Sequence, residues 1–282
     1  MILPARLPFG LHEPAVVYDG TVIWLFGGML PSGAFTDAVL RFDPRNEAIY
    51  TTPFRLPYAQ QASTGIAFGG YIYLFGGRST MTALMTQILR FDPATGLMTP
   101  MGSVLPSGRY NMAIAATSNR ILLFGGYDYT KITRILSYDP IADTLTTLPA
   151  QIIPGRESPV AVPFGTSIFL VGGSDYGGQL SEILRFDVAS GQVTPLNSTL
   201  PIAPWQPYPF VIDGFGYLYG GSGAQTIIRF DPATGQAVTL PTTITGVTAM
   251  GRSSASLPGR GYLFGGAGPG DVPLDRIVRF VP

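Results

Sequence analysis

One phrase, an apolar run closed by two glycines, occurs six times along the chain: WLFGG, YLFGG, LLFGG, FLVGG, YLYGG and YLFGG. The first glycines are Gly27, Gly76, Gly125, Gly172, Gly220 and Gly265, spaced by 49, 49, 47, 48 and 45 residues. A period of this length restricts the fold to architectures in which one supersecondary unit is repeated against its neighbours. A second phrase follows each pair: LRFDP, LRFDP, LSYDP, LRFDV, IRFDP and VRFVP. A short apolar run precedes each pair, as in AVVYDG and MAIAATSN, and a fourth run follows the aspartate turn, as in DPATGLMTPM.

Each unit thus holds four short segments, too short for helices and rich in Val, Ile, Tyr, Phe and Thr, which fits strands. The segment before the glycines is apolar at successive positions, as a strand is when both its faces are buried. Six four-stranded sheets around an axis give that environment, so the expected fold is all-β: a six-bladed β-propeller in one domain spanning 1–282. The expected blades are about 11–57, 58–105, 106–152, 153–201, 202–245 and 246–282. The glycines end a buried strand where the backbone turns and passes close to a neighbour. A phosphate-cradling loop would need a following GKS/T and a helix pattern, and neither is present.

The pattern resembles the Kelch repeat. That family's unit has an apolar run, a Gly-Gly pair, then an aromatic and a tryptophan separated by six residues. The aromatic appears here as Phe42, Phe91, Tyr138, Phe186, Phe230 and Phe280. The tryptophan position holds Ile49, Met98, Leu145, Val193 and Ala237, which marks a divergent member. The last copy stops after its third strand, while the start, MILPARLPFG, parallels TTPFRLPYAQ at 51–60. Residues 1–5 are therefore expected to supply a stub of outer strand that closes the sixth blade.

The six copies serve as an internal comparison. Arg41, Arg90, Arg185, Arg229 and Arg279 recur at one place on the third strand, and Asp43, Asp92, Asp139, Asp187 and Asp231 recur before a turn. Recurrence assigns both sets to the blade rather than to chemistry. Candidate binding residues are instead sought in the loops that enter the first strand and those that follow the glycines, which share one end of the ring. The entering loops carry His12, Arg109, Arg156, Trp205 and Arg252; the loops after the glycines carry Arg78, Tyr127, Tyr129, Asp175 and Tyr176. Arg, Tyr and Trp dominate binding hot spots, and guanidinium forks suit carboxylates and phosphates. The alternative for Arg109, Arg156 and Arg252 is that they bond carbonyls of an adjacent blade.

Composition narrows the chemistry. There is no cysteine, so no disulfide, thiolate nucleophile or Cys-based metal site. His12 is the only histidine and Lys131 the only lysine, so a multi-histidine zinc site and Walker-type phosphate chemistry are excluded. Copper oxidases on Kelch propellers use a Cys-crosslinked tyrosine and histidine ligands, and plant specifier proteins of this fold carry a Glu–Asp–His iron motif; neither set is present. Acidic and basic residues balance at 17 each, with the basic ones scattered, which argues against a nucleic-acid or anionic-membrane surface. No signal peptide and no run of about 18 apolar residues is apparent, which leaves the compartment open. The expected function is a non-catalytic, monomeric interaction module without cofactor, presenting one loop face to a protein or peptide, with an acidic or otherwise anionic ligand favoured by the arginines. The competing reading is a carbohydrate-binding or sugar epimerase-like or mutarotase-like enzyme working at that face through Glu157, Asp175, His12 and the arginines.

Overall fold

The computed structural model describes residues 1–80, 83–221, 226–241 and 253–282. Six four-stranded antiparallel sheets form a six-bladed β-propeller. The first blade runs from its inner strand Ala15–Tyr18 through Ile23–Phe26 and Ala38–Asp43 to its outer strand Ala48–Arg55. The inner strands of blades two to six are Thr64–Phe68, Ala113–Ala116, Val160–Phe164, Tyr208–Ile212 and Ser254–Leu257. Blade six takes its outer strand from the other end of the chain, Ile2–Leu11, with Ile2 opposite Val278, Arg6 opposite Arg276 and Leu11 opposite Leu274. This strand is twice the length of the stub expected at 1–5. Leu3, Leu7 and Leu11, on one face of the strand, are buried, so the pairing adds a packed face and not only a ladder.

The apolar side chains divide into six clusters, each built from two adjacent blades. One joins Leu25 and Phe42 of blade one to Tyr262, Phe264 and Leu7 of blade six, so the ring of interfaces is complete. The recurring aromatic of the third strand is the wedge at these interfaces. Phe42 lies against Tyr262 and Phe264, Phe91 against Trp24 and Phe26, Tyr138 against Tyr73 and Phe75, Phe186 against Phe124, Phe230 against Phe169, and Phe280 against Phe210 and Tyr217. Each partner belongs to the preceding blade, with centroids within 6 Å, a separation at which such pairs contribute about 0.5–1.5 kcal/mol beyond area burial. Ile49, Met98, Leu145, Val193 and Ala237, at the family's tryptophan position, pair across the sheet with these aromatics and pack on the same clusters. Where the second strand already supplies rings, an aliphatic group fills the remaining space.

The glycine pairs are the joints between blades. Both members have positive φ; Gly76 is at 58° and Gly77 at 98°. A Cβ on Gly76 would stand 2.2 Å from the carbonyl oxygen of Arg109 in the next blade, and Gly77 N donates to that oxygen at 2.8 Å. The same bond recurs as Gly28 to Gln60, Gly126 to Arg156 and, across the seam, Gly266 to Leu11. The recurring third-strand arginines lie on the sheet as expected: Arg41 is over Tyr50, Arg90 over Tyr71 and Arg229 over Phe215, and Arg279 reaches Glu47 in blade one.

Candidate functional site

The inner strands surround a channel of about 520 Å³. At one end, here the mouth, the loops entering these strands meet the loops that follow the glycine pairs. In blades one to four the two loops are held together by a pair of backbone hydrogen bonds: His12 with Met29, Gln61 with Arg78, Tyr110 with Tyr127, and Glu157 with Ser174. The residue after the first member of each pair is left-handed: Glu13, Ala62, Asn111 and Ser158, and in the fifth blade Gln206 after Trp205, all with φ between 45° and 59°. The backbone device is therefore constant from blade to blade while its side chains change completely. That combination places a non-repeating set of groups at fixed points around the mouth.

These groups form one connected network over blades one to four. Gln61 Nε2 donates to Glu13 Oε2 at 2.7 Å and lies 3.5 Å from His12 Nδ1, while Gln61 Oε1 accepts from Arg78 Nη2 at 3.3 Å. The Arg78 guanidinium is sandwiched between the Phe35 and Tyr110 rings, at 5.8 and 5.2 Å. Tyr110 meets Tyr127 edge-on, and Tyr127 meets Tyr129. Lys131 Nζ lies 5.2 Å from the Tyr127 centroid and is ion-paired to Glu157, whose carboxylate also accepts from Ser174. Tyr176 OH accepts from the backbone N–H of Lys131, which draws the fourth-blade loop over the third. Burial, then the charge of Glu157, holds the Tyr110 phenol above its ordinary pKa.

The sequence-derived candidates divide sharply. Arg78, Tyr127, Tyr129, Tyr176 and His12 are brought onto the mouth face, with Tyr129 and Tyr176 well exposed. Trp205 occupies the fifth-blade position equivalent to His12, Gln61, Tyr110 and Glu157. Arg109 and Arg156 are corrected: both side chains are fully buried. Arg109 donates to Gly125 O, Ser107 O and Ser107 Oγ; Arg156 donates to Gly172 O and Pro154 O and is ion-paired to Glu182. Each braces its own blade's glycine pair from inside while its carbonyl accepts the preceding blade's joint bond. Burial, then repulsion from Arg134, lowers Arg109 to a pKa of about 10, against the attraction of Asp128. Neither guanidinium faces the mouth, which removes most of the reason to expect an anionic ligand. Arg252 lies outside the described residues. By chain count it stands one residue before Ser253, the counterpart of Ala15, whereas Arg109 stands four before its counterpart Ala113; the three arginines are not one repeated position.

Asp175 accepts the Gly177 N–H within its own turn. Glu157 is engaged by Lys131, and His12 sits by Gln61 at the junction of blades one and two, so Glu157, Asp175 and His12 are not gathered at one point. Sequence reasoning saw Glu13 on this face only as a neighbour of His12, and did not single out Gln61, Tyr110, Lys131 and Ser174 as parts of it. The signal that finds Gln61, Tyr110 and Ser174 is the distance from the glycine pair, since the residue two after each pair's first glycine and its bridge partner recur at fixed offsets without recurring in type.

The comparisons agree with this architecture. No curated protein matches the chain. The family model described as the KLHDC2/KLHL20/DRC7 Kelch-repeats domain matches residues 62–266. With that match over most of its length, and with the glycine joints and aromatic wedges that the sheets display, the chain belongs to the Kelch-repeat family.

Proposed function

We propose that the mouth face over blades two to four is the surface on which this propeller holds a protein partner. Kelch-repeat propellers are protein-interaction modules in general, and that much applies to this chain. The observation that carries the finer reading is the set of identical backbone bridges in blades one to four, bearing non-repeating side chains. A scaffold that needed those side chains would repeat them. Tyr110, Tyr127, Tyr129 and Tyr176 offer rigid amphipathic area at low entropic cost. Arg78 has no carboxylate partner among the described residues, and its buried Nε has no hydrogen-bond acceptor. A partner's acidic group set against the half-buried Arg78 side chain would give the guanidinium the carboxylate it lacks. The anionic component of the reading thus narrows from a set of arginines to this one.

A random peptide display library panned against the propeller tests the reading. Enriched peptides should lose at least about tenfold in affinity, or about 1.4 kcal/mol, with Tyr127→Ala or Arg78→Ala. They should bind Ile141→Ala as they bind wild type, since Ile141 is exposed on a turn at the opposite end. Peptides that are insensitive to the mouth variants and lost with Ile141→Ala would place the binding surface at the wrong end.

A further inference from the structure

The channel below the mouth has a chemistry of its own. Its walls are the outward-facing residues of the inner strands, among them Val16, Ile114, Ala161, Pro163 and Val211. Glu13 is the only charged residue among its described lining, and it stands at the mouth. Its left-handed backbone, at φ 52°, turns the chain just before the inner strand. Only 5% of Glu13 is exposed. Oε2 accepts one bond from a neutral amide, that of Gln61, and no ion pair engages the carboxylate among the described residues. A carboxylate that is almost out of water with a neutral partner is poorly compensated, and a cation arriving beside it recovers that deficit. Asn111, the residue equivalent to Glu13 in blade three, also lines the channel and brings an amide to its wall.

We propose that this mouth binds an ammonium group carried on an aliphatic stem, with Glu13 as counter-charge and the inner-strand walls as the sleeve for the stem. An ammonium has three donors and no acceptor, which suits a lining whose one charged group among the described residues is a carboxylate. The apolar walls favour a stem over a hydrated inorganic cation, which would have to shed water there without replacement. The ammonium can come from a free alkylamine or from a lysine side chain on a partner. This inference uses residues other than Arg78 and the tyrosine shelf and stands or falls without the partner reading.

The test is a titration of isotope-labelled protein with hexylammonium, followed by NMR shifts of channel residues, with hexanol and hexanoate as matched controls. Hexylammonium should bind saturably and shift Ala113 and Ala161, and both controls should bind at least about tenfold more weakly. Glu13→Gln, which keeps size and the Gln61 contact region, should weaken hexylammonium by a similar factor while the melting temperature holds or rises. Ala161→Phe, which fills the sleeve, should block hexylammonium and spare methylammonium. Arg252→Ala should leave the affinity unchanged or raise it. A lysine peptide and its acetyl-lysine counterpart, competed against hexylammonium, separate the two sources. No saturable binding, equal binding of hexanol, indifference to Glu13→Gln, or loss with Arg252→Ala would each overturn the proposal.

Discussion

The two ends of this propeller are built on opposite rules. At the end away from the mouth, the turns after the third strands keep both their backbone and their residue. Asp43, Asp92, Asp139, Asp187 and Asp231 each accept a backbone N–H two or three residues ahead, from Arg45, Ala94, Ile141, Ser190 and Ala233. At the mouth the backbone is kept and the residue is not, as His12, Gln61, Tyr110, Glu157 and Trp205 show. A repeated side chain marks a structural need of every blade. A repeated backbone with changing side chains marks a place where each blade was free to differ, and that is where recognition can be written.

The comparison can be broken most forcefully at the joints. Gly76 and Gly69 have nearly the same φ, 58° and 59°, but only Gly76 has a neighbour in the path of a Cβ. Gly69→Ala should cost about 1–2 kcal/mol, the left-handed penalty alone. Gly76→Ala should cost a further 1–3 kcal/mol or so for the collision with Arg109 O. Urea unfolding midpoints measure the gap; equal losses would mean that the joint is not close-packed.

The seam comes next. Leu7→Ala, at a residue only 3% exposed between blades six and one, should cost about 2–4 kcal/mol and raise hydrogen exchange first in Leu274–Phe280. Unchanged exchange there would mean that blade six holds without its borrowed strand.

Arg109 and Arg78 sharpen the contrast within the mouth loops. Arg109→Ala removes a fully buried side chain and should lower stability by about 2–3 kcal/mol without altering peptide affinity in folded protein. Arg78→Ala should do the reverse, with stability within about 0.5–1 kcal/mol of wild type and affinity reduced. Calorimetry and peptide titration on both variants decide it; a loss of affinity confined to Arg109→Ala would return that residue to the site.

The smallest effect concerns the aspartate turns. The Arg45 side chain and backbone hold Asp43 at a pKa of about 2, below the ordinary 3.8. A carboxylate depressed on folding contributes stability that is fully present above its unfolded pKa and is lost as pH falls through the folded one. The melting-temperature gap between wild type and Asp43→Asn should therefore be constant above about pH 5 and close as pH falls from about 4 to 2. A gap that persisted at pH 2 would assign the turn to something other than ionised Asp43.

The fold was legible because its structural requirements are paid in residue identity. The glycine joints need positive φ and no side chain, and the third-strand aromatic needs to reach the preceding blade, so both recur in the text of the chain. The family tryptophan was replaceable because Ile49 or Met98 can fill the space beside rings such as Tyr262 or Trp24. The mouth was only partly legible. Arg78 and the tyrosines were found by their type. Arg109 and Arg156 misled for the same reason, because a guanidinium in a loop looks alike whether it serves a ligand or a buried carbonyl. Glu13 was seen only as a neighbour of His12, and Gln61 was not singled out, because the left-handed turn at the mouth is made with Glu, Ala, Asn, Ser and Gln rather than with glycine and leaves no common letter to count.

The strand Ile2–Leu11 has a consequence for the order in which the chain can fold. Its partner, Leu274–Phe280, is the last strand of the propeller to be synthesised, and Arg279 N–H closes onto Met1 O. Blades one to five can assemble as they leave the ribosome, each on the one before it. Throughout that time the first strand must wait with Leu3, Leu7 and Leu11 exposed and one edge open, the condition in which nascent chains pair with the wrong neighbour. Contacts between such distant segments also form slowly once they are possible. The step that makes the ring durable is thus the last to occur, and the interval before it is when this protein most needs protection.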